Sequence, residues 1–195
     1  AYRDSNGNRR FDDGESVLPD VEFFAGSRGG KTDAQGVVFL GGLGDGHRAN
    51  LLSGRESLPD ISLAPVTDGI EVVPRAGRVH VTDFAVQELG DIEGTALFSE
   101  GGSLGREVSG LRLELVDEQG KDGARARTEG DGSFFFEQVP PGAYAIRIDP
   151  NQAASLKIRL TEPIAVTVGP KSAYIKQTVK VSADVSPAET PPAAP

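Results

Sequence analysis

No cysteine, methionine or tryptophan occurs among the 195 residues, and there are only three tyrosines. Without cysteine there is no disulfide, no thiol nucleophile and no thiolate metal site. A module of this kind outside a cell then needs another staple. Without tryptophan, and with so few tyrosines, stacking against sugar rings is poorly served. The missing methionine leads us to expect a processed chain or a piece of a larger one, and Ala1-Tyr2-Arg3 reads as the end of a strand whose start was cut away. No leader peptide is visible, and no apolar run reaches membrane-spanning length, so no membrane insertion is expected in this segment. Twenty bases face 29 acids for a net charge of −9, spread over both halves without a basic stripe. That argues against nucleic acid and against anionic membranes as partners. No window keeps a 3.6-residue apolar period for three turns.

Turn formers are abundant instead. The chain holds 25 glycines and 13 prolines, a density of punctuation that favours many short strands and an all-β fold. The most informative stretch is Asp4-Ser5-Asn6-Gly7-Asn8-Arg9-Arg10-Phe11-Asp12-Asp13-Gly14-Glu15. Oxygen-bearing side chains fall at places 1, 3, 5, 9 and 12, the ligand spacing of a twelve-residue calcium loop. Calcium is a hard cation that takes 6 to 8 oxygens, so a short loop must curl around it. Asp4, Asn6 and Asn8 supply side-chain oxygens, Arg10 its backbone carbonyl, Asp12 a direct or water-borne contact, and Glu15 both carboxylate oxygens. Phe11 holds the place of an apolar anchor to the core. Such loops want glycine at place 6, where this chain has Arg9; Gly7 and the turn-tolerant Asn8 are expected to carry the bend. The plain alternative is a polar surface loop.

A helix does not follow. Pro19 and the apolar residues of Leu18 to Phe24 read as a strand. A calcium loop feeding a strand resembles the B-type repeats of bacterial serine-aspartate surface adhesins, matched at Asp4, Asn6, Asn8, Asp12, Gly14, Glu15, Pro19 and Val21. The resemblance covers about the first 45 residues and implies a calcium-stapled β-sandwich.

Thr32 to Gly46 aligns without a gap on Thr128 to Gly142, with threonine, glycine, phenylalanine and the final glycine identical. The repeat points to two domains. Leu111, Leu113 and Leu115 alternate with Arg112 and Glu114, and Tyr144, Ile146 and Ile148 alternate likewise, as half-buried strands do. Residues Thr128, Asp131, Gly132, Phe134, Phe136, Val139, Pro140, Pro141, Gly142 and Tyr144 resemble the carboxypeptidase regulatory-like, transthyretin-like sandwich and its collagen-adhesin B-type relatives. That likeness spans roughly Gly94 to Val181. The expected organisation is two tandem Ig-like or prealbumin-like β-sandwiches, residues 1–89 and 90–185, then a Pro/Ala-rich tail over 186–195. Val72, Val73, Val79, Val81, Phe84 and Val86 read as closing strands of the first.

Catalytic chemistry finds little support. His47 and His80 have no converging partners at useful spacing. No G-x-S-x-G elbow exists, and Gly101 to Gly105 lacks the ending of a phosphate loop. Asp33 and Asp131 read as turn caps in preference to second cation sites. Asp12 and Asp13 read as ligand and neighbour, not as an acid–base pair. Some collagen-adhesin relatives carry a Lys–Asn amide formed beside a buried acid; the strand Ala145 to Ile148 offers no such acid, and no amide is expected. The sequence thus suggests non-catalytic spacer modules at a bacterial surface or in a secreted protein. Calcium would be the cofactor, and neighbouring domains of a larger chain or other surface proteins the partners. The alternatives are a ligand- or protein-binding module and an accessory domain of a secreted enzyme.

Overall fold

A computed structural model describes residues 1–44, 46–100, 103–171 and 174–184. The chain divides into two compact units, one of residues 1–90 with 169–173 and one of residues 91–168 with the strand that begins at Tyr174. The Pro/Ala-rich tail, Asp45 and the start of the Gly101–Gly105 loop lie outside the described residues.

The first unit holds β1 Tyr2–Arg3, β2 Ser16–Val17, β3 Glu22–Ala25, β4 Arg28–Lys31, β5 Ala49–Ser53, β6 Leu63–Pro65, β7 Gly69–Val72 and β8 Ala85–Glu88. One sheet runs β2-β1-β8-β6 and the other β4-β3-β5-β7. They sandwich Leu18, Val21, Phe23, Leu63, Phe84 and Val86, with Phe23 and Phe84 meeting edge to face at 4.9 Å. The continuous strand expected over Leu18 to Phe24 is broken. β2 ends at Val17, Asp20 takes φ 61°, and β3 begins at Glu22. The reason is topological: β2 pairs with β1 in one sheet and β3 with β4 and β5 in the other. The chain must cross between sheets at Pro19-Asp20, where Pro19 has no N–H to offer a ladder. The expected closing strands are likewise shorter. β7 stops at Val72, β8 starts at Ala85, and residues 78–84 belong to no strand.

The second unit holds β9 Gly90–Glu100, β10 Ser103–Glu107, β11 Arg112–Asp117, β12 Asp122–Arg127, β13 Ser133–Val139, β14 Gly142–Ile148, β15 Ile158–Leu160, β16 Ile164–Val168 and β17 Tyr174–Ala183. Its sheets are β10-β9-β17-β15, with β13 also on β9, and β12-β11-β14-β16. Leu111, Leu113, Leu115, Phe134, Phe136, Ile146 and Ile148 all point into its core, as the alternation required. Glu114 faces away from the leucines and is still only 5% exposed. It lies directly across from Arg147 on one side and Arg125 on the other, and Arg147 Nε donates to it at 2.8 Å. One short helix, α1 Pro150–Leu156, escaped the periodicity test because seven residues cannot show three turns. Its local chemistry is plain: Asp149 accepts the Gln152 N–H at 2.8 Å, Pro150 opens the first turn, and Lys157 closes it at φ 51°.

The sequence repeat is a repeat of bonds. Thr32 Oγ1 accepts from the Val21 N–H (2.9 Å) and donates to the Leu18 carbonyl (2.6 Å). Thr128 Oγ1 accepts from the Leu111 N–H (2.8 Å) and donates to the Val108 carbonyl (2.6 Å). Gly36 and Gly132 sit at φ 73° and 74°, each pressed against the neighbouring strand so that a Cβ would lie 2.6 Å from the Ala1 carbonyl oxygen or 2.8 Å from that of Ala96.

Candidate functional site

The loop from Asp4 to Glu15 leaves β1 and returns to β2, which pair antiparallel at Tyr2–Val17 and Arg3–Ser16. Tyr2 and Asp4 share the inward face of this stretch, both 2% exposed. The Asp4 carboxylate is pinned on both oxygens, accepting the Gly7 N–H at 2.7 Å and the Arg9 N–H at 2.8 Å. Asn6 Oδ1 accepts from the Asn8 N–H, and Asn8 Oδ1 from the Arg10 N–H. Both side-chain amides then turn to Asp12 Oδ2, at 2.9 Å from Asn6 and 2.6 Å from Asn8. Those two donations hold the Asp12 carboxyl below its usual range, with Arg10 adding to the effect. Glu15 ties the two ends together: Oε1 accepts from the Ser5 N–H at 2.8 Å and Oε2 from the Asp12 N–H at 3.1 Å.

Asp4, Asn6, Asn8, Asp12 and Glu15 are therefore brought into one hydrogen-bonded loop, and Arg10 lies exposed on it. Among the described residues no three His, Asp or Glu side chains gather as a metal cluster; here the two asparagine amides face Asp12. The donor chemistry nonetheless fits a hard cation, since the set is all oxygen and carries three carboxylates. An orphaned polar atom behind the loop agrees. The Tyr2 hydroxyl is buried without a hydrogen-bond partner. Burial, then the charges of Asp4 and Glu15, push its pKa up to about 12. Ser5 and Tyr2 were not anticipated as part of this site. The alternation Tyr2-Arg3-Asp4 held the signal, because residues two apart on a strand share a face.

Two expectations need correction. The bend falls on Gly7 at φ 78° and on Arg9 itself at φ 62°, not on Asn8. A left-handed arginine costs roughly 1–2 kcal/mol. Arg9→Gly should remove that cost, less the greater freedom glycine gives the unfolded chain. A net gain of up to about 1 kcal/mol in urea unfolding is expected; a loss would show that the arginine side chain contributes more than its backbone costs. Phe11, in turn, is 47% exposed. Its ring meets Tyr2 edge to face at 5.4 Å, so it anchors the loop through Tyr2 and not by insertion into the core. Elsewhere Asp33 accepts from the Gln35 and Val37 N–H groups and Asp131 from that of Ser133, as turn caps do. Both histidines are exposed.

No protein-family model matches this chain, and no curated protein matches it. Solved structures do. The TIE protein of Bacillus anthracis is similar at 16% identity and a TM-score of 0.40, over 88% of this chain and 32% of that one. The minor pilin GBS52 of Streptococcus agalactiae is similar at 10% identity and 0.39, over 90% of each chain. A streptococcal ancillary pilin is similar at 15% identity and 0.38, over 84% of this chain and 57% of that one. Likenesses this loose do not assign the chain to a family. Among the described residues no helix is long and apolar enough to cross a membrane.

Proposed function

We propose that the chain is a pair of non-catalytic structural modules from a bacterial surface or secreted protein, the first of them stapled by calcium at the loop Asp4 to Glu15. The observation that carries this is the loop itself: a buried Asp4, with Asn6, Asn8, Asp12 and Glu15 drawn into one bonded ring beside an unpartnered Tyr2 hydroxyl. Asp4, Asn6, Asn8, Asp12 and Glu15 would hold the ion by side-chain oxygen, and Arg10 by its carbonyl. When bound, calcium supplies positive charge that offsets the carboxylates. The loop's own part is to fix the spacing of β1 and β2, since its first and last residues lead directly into that pair. In a chain without disulfides, a ligand that binds only the folded state stabilises it by mass action.

The test is calorimetric titration with calcium, together with thermal unfolding. Extracellular modules bind with dissociation constants on the order of 10⁻⁴ to 10⁻³ M. At 10 mM calcium the folded state should gain about 1.4–2.7 kcal/mol. Asp12→Asn and Glu15→Gln keep the shapes and remove charge, and each should abolish both the heat and the shift in melting temperature. Absence of heat from the unaltered chain would remove the site.

A further inference from the structure

Read along the chain, the bases form no stripe, but the second unit assembles one. Its sheet β12-β11-β14-β16 turns one face to the core and the other outward. Strand side chains alternate, so Leu113 and Leu115 point in while Arg112 and Glu114 point out. Register then sets three further arginines beside them. Arg127 lies opposite Arg112, Arg125 opposite Glu114 on one side, and Arg147 opposite Glu114 on the other. Four guanidinium groups thus share one sheet face of a chain whose net charge is −9. Among the described residues, Glu114 is the carboxylate that these strands set among them.

Glu114 is already engaged. Arg147 Nε donates to one of its oxygens at 2.8 Å, and Arg125 Nε stands 3.5 Å from the other. Arg112 and Arg127 are exposed, and among the described residues no carboxylate pairs with either. They are also held at the shorter of the two cross-strand spacings. Thr128 turns both its main-chain groups toward the β11 side, donating to the Leu111 carbonyl and accepting from the Gly110 N–H. Arg127, one residue back, therefore turns its own N–H and carbonyl the other way. It faces Arg112 as a non-hydrogen-bonded pair, the kind that brings side chains closest. Like charges directly opposite destabilise a sheet. A single acid at either place would turn that repulsion into attraction, so the unit's own stability does not account for the pair.

The arrangement suits a partner of one kind. All four bases are arginine, whose fork matches the two oxygens of a carboxylate. β12 is the last strand of its sheet, and Arg127 directs its main-chain groups at that outer edge. Arg125 and Arg127 are two residues apart, about 6.8 Å along the strand, which is also the repeat of alternate side chains in any extended partner. We propose that the edge of β12 docks an extended acidic segment of another protein, which joins the sheet as a further strand and sets carboxylates at alternate places against Arg127 and Arg125. Main-chain bonds hold the segment and the arginines select it. Arg112 adds charge from one strand further in. A segment with two or three acids answers the local charge, whereas a long polyanion would be repelled by the acidic remainder of the chain.

The test is an NMR titration of the full chain with two end-blocked peptides of the same composition. Thr-Glu-Val-Glu-Val-Thr puts both acids on one face of an extended strand, and Thr-Glu-Glu-Val-Val-Thr puts them on opposite faces. The first is expected to move the amide signals of Gly123 to Arg127 and to bind about tenfold more tightly than the second. Arg127→Gln should weaken that binding about tenfold. Its melting temperature should equal or exceed that of the parent, because the like charge facing Arg112 is gone. Arg28→Gln, in the first unit, should leave binding unchanged. Equal binding of the two peptides, no binding of the first, or binding indifferent to Arg127→Gln overturns the proposal. Tighter binding of a heparin fragment at the same amides would assign the face to a sulfated polysaccharide. Self-association abolished by Arg127→Gln would assign it to a second copy, and either result is equally fatal.

Discussion

Gly94→Ala is expected to cost the second unit about 3 kcal/mol, at the upper end for an overpacked core position. Gly94 lies mid-strand in β9, which is paired on both sides. An added Cβ would run into the Gln177 carbonyl oxygen of β17 and lie within 2.5 Å of the Phe134 ring. The carbonyl is ladder backbone and cannot swing aside; the ring is itself buried at the centre of the core. Gly130→Ala is the matched control, since nothing lies within 4 Å of a Cβ there and its φ is ordinary; it should stay within about 0.5 kcal/mol of the parent. Urea unfolding followed by circular dichroism reads both. Equal stability of the two variants would mean that β9, β13 and β17 do not close over Gly94 as described.

The second large effect belongs to the paired threonines. Thr128→Val keeps the shape and removes the hydroxyl that links the Leu111 N–H to the Val108 carbonyl. The Leu111 N–H then stands buried, and the Val108 carbonyl half-buried, without that partner, at a cost of about 2–3 kcal/mol. Thr32→Val should act in the same way in the first unit, where the same two bonds are made to Val21 and Leu18. Thr128→Ser and Thr32→Ser retain the hydroxyl and should recover most of the loss. A valine variant as stable as the parent would show that the threonines contribute packing alone.

Those threonines also mark how far the sequence could be read. A threonine, then a glycine four residues on, then an aromatic, recurring at an interval of 96, announced two related units, and the bonds turn out to be duplicated as well. The leucine alternation in β11 fixed a core face because strand side chains have a period of two. What stayed hidden depended on partners far along the chain. Nothing local in Ser16 to Phe24 says that its two ends serve opposite sheets; only the pairing of β2 with β1 and of β3 with β5 divides it. Val79 and Val81 have strand propensity, but propensity without a neighbour to pair with does not make a strand. Arg9 broke the expectation that left-handed backbone falls to glycine or asparagine. In the loop, the oxygen spacing was legible. The turn of the asparagine amides onto Asp12 was not, because it depends on side-chain rotation and not on residue type.

The parallel pairing of first and last strands has a consequence for how each unit bears load. In the second unit β9 and β17 are matched over eight residue pairs, Asp91 with Tyr174 through Phe98 with Val181. A pull on the leading end of β9 and the trailing end of β17 drags two parallel strands past each other lengthwise. All eight pairs must then give way together, where an antiparallel hairpin pulled at its open end would unzip one rung at a time. The first unit has two such pairs, Tyr2 with Ala85 and Arg3 with Val86. Under equal tension the clamp of two pairs slips before the clamp of eight.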